Sequence, residues 1–382
     1  MDGIFGSALL YSSAQTMKHF DIIVIGGGIA GLGIAEEAGA RGLSTLVLEA
    51  RTCCSQTSDN TLRIIHGGFR YLQTFDFPRV VKSLRDQTDL LREVPNALAP
   101  LPCLMPLSRF GLKSKIPVAC AGVMYRAFMA GAGSPLPPPV TLSRRETEAR
   151  ASFLGHRAPH GALCWHDVVM VTPSLVKEYL VARCIERGVT IEENRPAASV
   201  AKVGEAYEVR DQNGSLWRAP KVVNALGPWI DTLNVPSELR GPRPSWCRGI
   251  NLIISRQIDP LYGIALESPD GRLFFCVPRG QGTAIGTWYE KHPADNLPPQ
   301  VSEADITTFL KAVNAVLGDV RIERTDIVGV DVGVLPEASP ASLNPMPMGH
   351  EKLTMRDGYI EVLSTKYTTF RSQAKAVLEL FP

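Results

Sequence analysis

The clearest pattern of apolar and polar positions lies in the first fifty residues. Phe20-Asp21-Ile22-Ile23-Val24-Ile25 is a short, β-branched apolar run, the pattern of a strand buried on both faces in a parallel sheet. Ile29, Leu32, Ile34, Ala35 and Ala38 then recur at helical spacing up to Arg41-Gly42, where glycine suits the position after a last turn. A second apolar run from Ser44 ends on Glu49. Strand, helix and strand in this order predict an α/β fold.

Farther along, Val80, Val81, Leu84 and Leu91 give residues 77–94 an amphipathic helical period. Residues 116–133 form the most apolar helical stretch, with Pro117 expected to break it and Arg126 as its one charge. Ser134-Pro135-Leu136-Pro137-Pro138-Pro139 reads as a stiff extended linker. Ser143 with Glu146, and Ser302 with Asp305, have capping-box spacing. Thr172-Pro173 predicts an N-cap and first turn for a helix running to Gly188. Residues 245–290 are rich in strand patterns, and 303–317 read as a helix. No internal repeat is present.

The turn between the first strand and helix, Gly26-Gly27-Gly28-Ile29-Ala30-Gly31, satisfies G-x-G-x-x-G. Gly26 permits the tight turn, Gly28 lets backbone approach a pyrophosphate, and Gly31 lets helix and strand pack closely. The helix N-terminus offers unpaired N–H groups and about half a positive charge to phosphates. Glu49 stands where a ribose diol would donate hydrogen bonds to it. All five parts occur in order, so the chain is expected to bind a dinucleotide.

With 382 residues, 45% hydrophobic and 20% charged, the chain is of globular composition and long enough for two to three domains of about 150 residues. Its net charge of +2, with no block of like charges, gives no nucleic-acid footprint. Eight cysteines without C-x-x-C spacing suggest reduced thiols in a cytoplasmic protein rather than a disulfide frame or metal site. No run of 18 apolar residues occurs, and residues 1–16 contain no Lys or Arg for a signal-peptide n-region. Met17 is the expected native start, with 1–16 a loose or non-native tail.

Ile65-His66-Gly67-Gly68-Phe69-Arg70-Tyr71-Leu72 resembles the matching segment of FAD-dependent glycerol-3-phosphate dehydrogenases, which belong to the D-amino-acid oxidase superfamily. The resemblance continues through Val222–Trp229, Phe274–Pro278, Ala284–Thr287 and Lys366-Tyr367-Thr368-Thr369-Phe370-Arg371. It implies a Rossmann-like FAD-binding domain made of 17–76, 152–232 and 326–382. A discontinuous mixed-sheet substrate domain, an α+β cap, would comprise 77–151 and 233–325. The further C-terminal helical domain of the bacterial dehydrogenases is expected to be absent. For the cofactor, the implied contacts are Gly26, Gly28, Ile29, Gly31, Glu49, Ala50, Arg51, Thr57 and Ser58. To these the resemblance adds His66, Gly67, Ala225, Gly227, Trp229, Gly333, Lys366, Tyr367 and Thr368.

By the same resemblance, Arg70 and Tyr71 face substrate and Lys366 stands near the reactive edge of the flavin. An arginine fork suits an anionic substrate. His66 is expected to orient backbone near the flavin rather than to act as a base. Two positions depart from the family. Leu335 stands where an arginine contacts substrate, removing a charge-assisted contact of about 1.5–3 kcal/mol. Asn251 stands where the family has a histidine; it can line the pocket but cannot act as a general base near neutral pH. Ser364-Thr365 replace two glycines in the closing loop. His350 and Tyr289 are alternative proton acceptors without motif support, and a redox role for Cys53-Cys54 is not expected.

The expected function is that of an FAD-dependent oxidoreductase that oxidises a small CH–OH or CH–NH substrate by hydride transfer to flavin. Quinone, oxygen or another carrier would take the electrons. The alternatives are an amine or amino-acid oxidase and a non-catalytic flavoprotein subunit; an NAD(P) dehydrogenase would need a second glycine-rich nucleotide loop. Expected partners are a small, anionic substrate and the electron acceptor, without nucleic acid. A homodimer and peripheral membrane contact through the 116–133 helix are both compatible with the pattern, as is burial of that helix under a cap.

Overall fold

The structure is a computed structural model describing residues 18–381 apart from 269–270, 319 and 343; the expected tail and the Met17 start lie outside the described residues. Ile22–Ile25, buried at all four positions, is central in a six-stranded sheet. Thr45–Leu48 and Lys221–Asn224 flank it in parallel. Thr190–Glu192 lies outside the first, while Tyr359–Leu363 and the antiparallel Lys352–Arg356 lie outside the second.

The two-residue alternation of a strand explains why this run carries no polar side chain. Ile22 and Val24 pack into a core that includes the helix Ile29–Ala40. Ile23 and Ile25 pack against Tyr207, Val209 and Trp217 of a four-stranded sheet on the other face. The helix itself is buried nearly all round rather than on one side. It is wedged against the helices Pro173–Glu186 and Phe370–Glu379, and even Glu36 is covered, with Arg187 at 3.1 Å.

A larger mixed sheet runs in the order 327–336, 246–254, 282–292, 273–279, 263–267, 98–106, 162–170 and 64–65, with 140–142 paired beside 162–170. Behind it, the helix Glu303–Leu317 lays Phe309 against Phe274 and Trp288, with ring centroids 5.8 and 5.4 Å away. Both expected capping boxes form, at Ser143/Glu146 and Ser302/Asp305. Thr172 precedes its helix without a side-chain cap bond, although Pro173 occupies the first turn as expected. Pro117 does not break its helix: Lys115–Gly131 is continuous, because the proline falls in the first turn, where its missing N–H would have had no partner.

The helix Phe77–Glu93 is tied to the helix Phe370–Glu379 by one buried carboxylate. Asp86 accepts from the Ser372 hydroxyl at 2.7 Å and its N–H at 3.3 Å. Burial pushes the Asp86 carboxyl up to about 6, the Ser372 bonds only partly opposing it. The folded chain therefore holds this proton more tightly than the unfolded one. The group's contribution is complete below the ordinary aspartate range and is lost as pH rises through about 6. Asp86→Asn should keep two bonds without titrating, its Oδ1 accepting from the Ser372 N–H and its NH₂ donating to the Ser372 hydroxyl oxygen. Urea midpoints at about pH 4 and about pH 7 should show the variant gaining on the wild type as pH rises; parallel profiles would remove Asp86 as the cause.

Candidate active site

Between the two larger sheets runs a cavity of about 1050 Å³. The glycine-rich turn forms one end of it. Gly26 has φ +103°, and a side chain there would meet the Ala225 carbonyl oxygen at 2.7 Å. A Cβ on Gly31 would fall inside the Gly26 carbonyl, so this glycine serves the close packing of turn and helix and does not itself line the cavity. Glu49 is held by two backbone donors, the N–H of Gly27 at 2.6 Å and of Arg51 at 2.8 Å. It lines the wall with Ala50 and Arg51, its remaining lone pairs available to a diol. Ser58 accepts from the Ile29 N–H at 3.1 Å, leaving its hydroxyl hydrogen beside the helix N-terminus, where Gly28 has no side-chain cap. Thr57 and Gly333 face each other nearby.

Beside the turn, Ala225, Gly227 and Trp229 line the same cavity, as do Tyr367 and Thr368. Gly227 has φ +58° and open space where a Cβ would stand. This glycine cradle, an anion-ready helix start and a bound carboxylate fit an extended dinucleotide such as FAD.

At the far end stands His66. Its Nδ1 lies 2.9 Å from Oδ2 of Asp167, and its backbone N–H donates to the Thr368 hydroxyl. Asp167 is buried and accepts three further bonds, from the Gly67 N–H, the Trp165 indole and the Gln87 amide. Burial pushes its carboxyl up, but the interactions with His66, Gly67 and Trp165 outweigh this and hold it below the usual carboxylate range. Held by an ionised carboxylate at Nδ1, the ring keeps Nε2 without a protein partner among the described residues. The Phe275 ring stands 5.7 Å away, edge-on. Gly67 lies behind this wall; a Cβ there would strike the Tyr125 hydroxyl.

Arg70 and Tyr71 lie on the short 3₁₀ turn Phe69–Thr74. Arg70 is exposed to the cavity and makes no ion pair among the described residues. Tyr71 is held between cations: the Arg79 guanidinium lies 3.9 Å from its ring centroid and the Lys366 ammonium 3.8 Å, and Lys366 also donates to its hydroxyl. Burial and the neighbouring Arg79 push Lys366 down to about 6.

Asn251, like Gly31 and Gly67, is an expected site residue that does not line the cavity. The extra residue of a bulge sits on the neighbouring strand, where Trp288 to Ile285 stand opposite Ile250 to Leu252, while the strand of Asn251 keeps its regular pairing with 327–336. The side chain is buried against Gly286, where only a missing Cβ leaves room for it. His350 is turned outward to Asp76 at 2.9 Å, whereas Tyr289 does reach the wall. All eight cysteines are free; burial pushes the Cys53 thiol up and Cys54 to about 12, which makes poor nucleophiles of both. Asp167 and Arg79 were not singled out in the sequence. The signal for Asp167 was the alternation Leu163, Trp165, Asp167 along one strand face; Arg79 had none beyond its place in the first turn of a helix.

A family model described as FAD dependent oxidoreductase matches residues 21–359. Glycerol-3-phosphate dehydrogenase 2 of Mycobacterium tuberculosis is 29% identical over 381 residues, covering 95% of this chain and 63% of its own length. The chain thus spans less than two thirds of that relative. Among solved structures, the glycerol-3-phosphate dehydrogenase of Bacillus halodurans complexed with FAD superposes with TM-score 0.70 at 21% identity, over 95% of this chain and 64% of that one. Glycine oxidase of Geobacillus kaustophilus superposes with TM-score 0.67 at 17% identity, over 95% of each chain.

Proposed function

The chain belongs to the FAD dependent oxidoreductase family, and from that premise we propose that it oxidises a small anionic alcohol, with FAD as its cofactor. The observation that carries this reading is the His66–Asp167 pair on the wall of the cavity that begins at the dinucleotide turn. Bound in that cavity, FAD supplies a two-electron acceptor for the hydride released when the substrate's C–H bond breaks. The remaining work belongs to the chain. Nε2 of His66 takes the hydroxyl proton as the carbonyl forms, and Asp167 holds the ring in that tautomer and stabilises its cationic form. This gives His66 a larger role than its sequence context suggested. Arg70 orients the anionic group, with Arg79 adding positive charge.

Glu49 would hold the ribose, and the turn 26–28 with Ser58 the pyrophosphate. The same reading assigns 17–76, 152–232 and 326–382 to the FAD-binding part and 77–151 with 233–325 to the cap. The electron acceptor would be quinone, oxygen or another carrier. A homodimer or peripheral membrane contact would cover the exposed Ile116 and Val123 of the helix Lys115–Gly131. Sedimentation with and without anionic vesicles separates the two. No helix among the described residues is long and apolar enough to cross a membrane.

The purified protein should show a bound oxidised flavin spectrum that bleaches under anaerobic conditions with an anionic alcohol. A colourless protein that FAD does not reconstitute would overturn the reading. Hydrogen peroxide release with amines but not alcohols would move it to the amine and amino-acid oxidases.

A further inference from the structure

Three strands of the large mixed sheet turn alternate residues into the cavity: Leu163 and Trp165, Ala265 and Glu267, Leu273 and Phe275. Met105, paired across from Leu163, continues this face; Leu335 lines the cavity from the outermost strand, beyond the two strands that contribute Gly249 and Tyr289. Its polar groups are already engaged. Asp167 is bound to His66, and Glu267 is paired with Lys113 at the rim. Met346 and Met348 also line the cavity, on the segment that follows the Leu335 strand. Opposite in character is the turn that carries Arg70, with Arg79 and Lys366 beside it and Asp76 near Arg79 at 3.9 Å.

Resting on the FAD-dependent alcohol oxidation proposed above, we infer that the substrate is a 2-hydroxy acid with an apolar side chain. Its carboxylate meets Arg70, its carbinol meets His66, and its side chain lies on the Leu163–Phe275 face. The C2–H bond breaks with hydride passing to FAD, the O–H proton passes to His66, and the product is the 2-oxo acid. A polyol phosphate fits this face poorly. Its free hydroxyls would lose water there without gaining a partner, and Leu335 offers no charge to its phosphate. The corresponding amino acid would set its ammonium in the carbinol's place beside His66, where it must lose one proton before a hydride can leave, so it is expected to react more slowly. Leu335 is thus a specificity-determining residue: an uncharged side chain on the cavity wall, it offers no contact to a second anionic group.

The test uses the FAD-loaded protein and the flavin absorbance change on titration with acetate, 4-methylpentanoate and glycerol-3-phosphate, followed by anaerobic reduction. Burial is worth roughly fourfold in affinity per methylene, so 4-methylpentanoate should bind about tenfold or more tighter than acetate. 2-Hydroxy-4-methylpentanoate should bleach the flavin faster than leucine or glycerol-3-phosphate. Leu335→Arg should shift preference toward glycerol-3-phosphate. Leu273→Asn, on the same wall, should weaken 4-methylpentanoate but spare acetate. Arg70→Met should weaken all three anions. Equal binding of the two carboxylates, or faster bleaching by leucine or glycerol-3-phosphate, overturns the substrate class. Bleaching by glycerol-3-phosphate alone would leave the alcohol-oxidising reading standing, whereas a protein that holds no FAD fails that reading itself.

Discussion

Asp167→Asn is expected to slow reduction of the bound flavin by about 10²–10⁴-fold while FAD stays bound. The carboxylate has no contact with the dinucleotide end of the cavity, so cofactor affinity does not depend on it. Its effect is on His66. An ionised carboxylate at 2.9 Å fixes the proton on Nδ1 and leaves Nε2 as a base. An amide of the same size can turn its NH₂ toward Nδ1, which forces the proton to Nε2 and removes the acceptor. The carboxylate also offsets the charge that the imidazole gains. Single-turnover reduction kinetics across pH measure both effects. A variant with wild-type kinetics and an unchanged pH profile would show that His66 is not the proton acceptor. A thermal melt alongside separates this from unfolding, since removing one partner of a buried pair costs about 3–5 kcal/mol when nothing replaces it.

Gly31→Ala should release the flavin. The methyl would collide with the Gly26 carbonyl, a backbone atom, so no side-chain rotation relieves it. Turn and helix must separate, at a cost of about 1–3 kcal/mol or more, and the N–H groups that would face the pyrophosphate move with the helix. The flavin-to-protein absorbance ratio after gel filtration reads this directly. Gly131→Ala, with nothing within 4 Å of its Cβ position, is the matched control and should keep its flavin. Equal retention by both variants would mean that Gly31 is not needed for the cradle.

The parts of this molecule that were readable in the sequence are those whose physics is local. Ile22–Ile25, the glycine turn and the helix 29–40 lie within twenty residues of each other, and each is specified by its own side chains. The capping boxes at Ser143 and Ser302 are likewise local. The His66–Asp167 pair was not readable, because 101 residues separate its members and only the pairing of strand 64–65 with 162–170 makes them neighbours. Asn251 was misread for a related reason. A position matched by resemblance carries no information about its neighbours across the sheet, and it is Gly286 of the adjacent strand that gives that side chain its place. Pro117 erred in the other direction, since a helix breaker is harmless in the first turn.

The strand order of the six-stranded sheet has a consequence for how the protein matures. Ile22–Ile25 is made first but rests between Thr45–Leu48 and a partner almost two hundred residues later, Lys221–Asn224. That partner in turn waits for Tyr359–Leu363. The growing chain therefore carries the unpaired, wholly apolar edge of Ile22–Ile25 until Lys221–Asn224 has been made. The wall formed by Tyr367 and Thr368 arrives last of all. Such long-range closure folds slowly and exposes intermediates to aggregation. Capture of the cofactor thus depends on pairings between segments far apart in the chain.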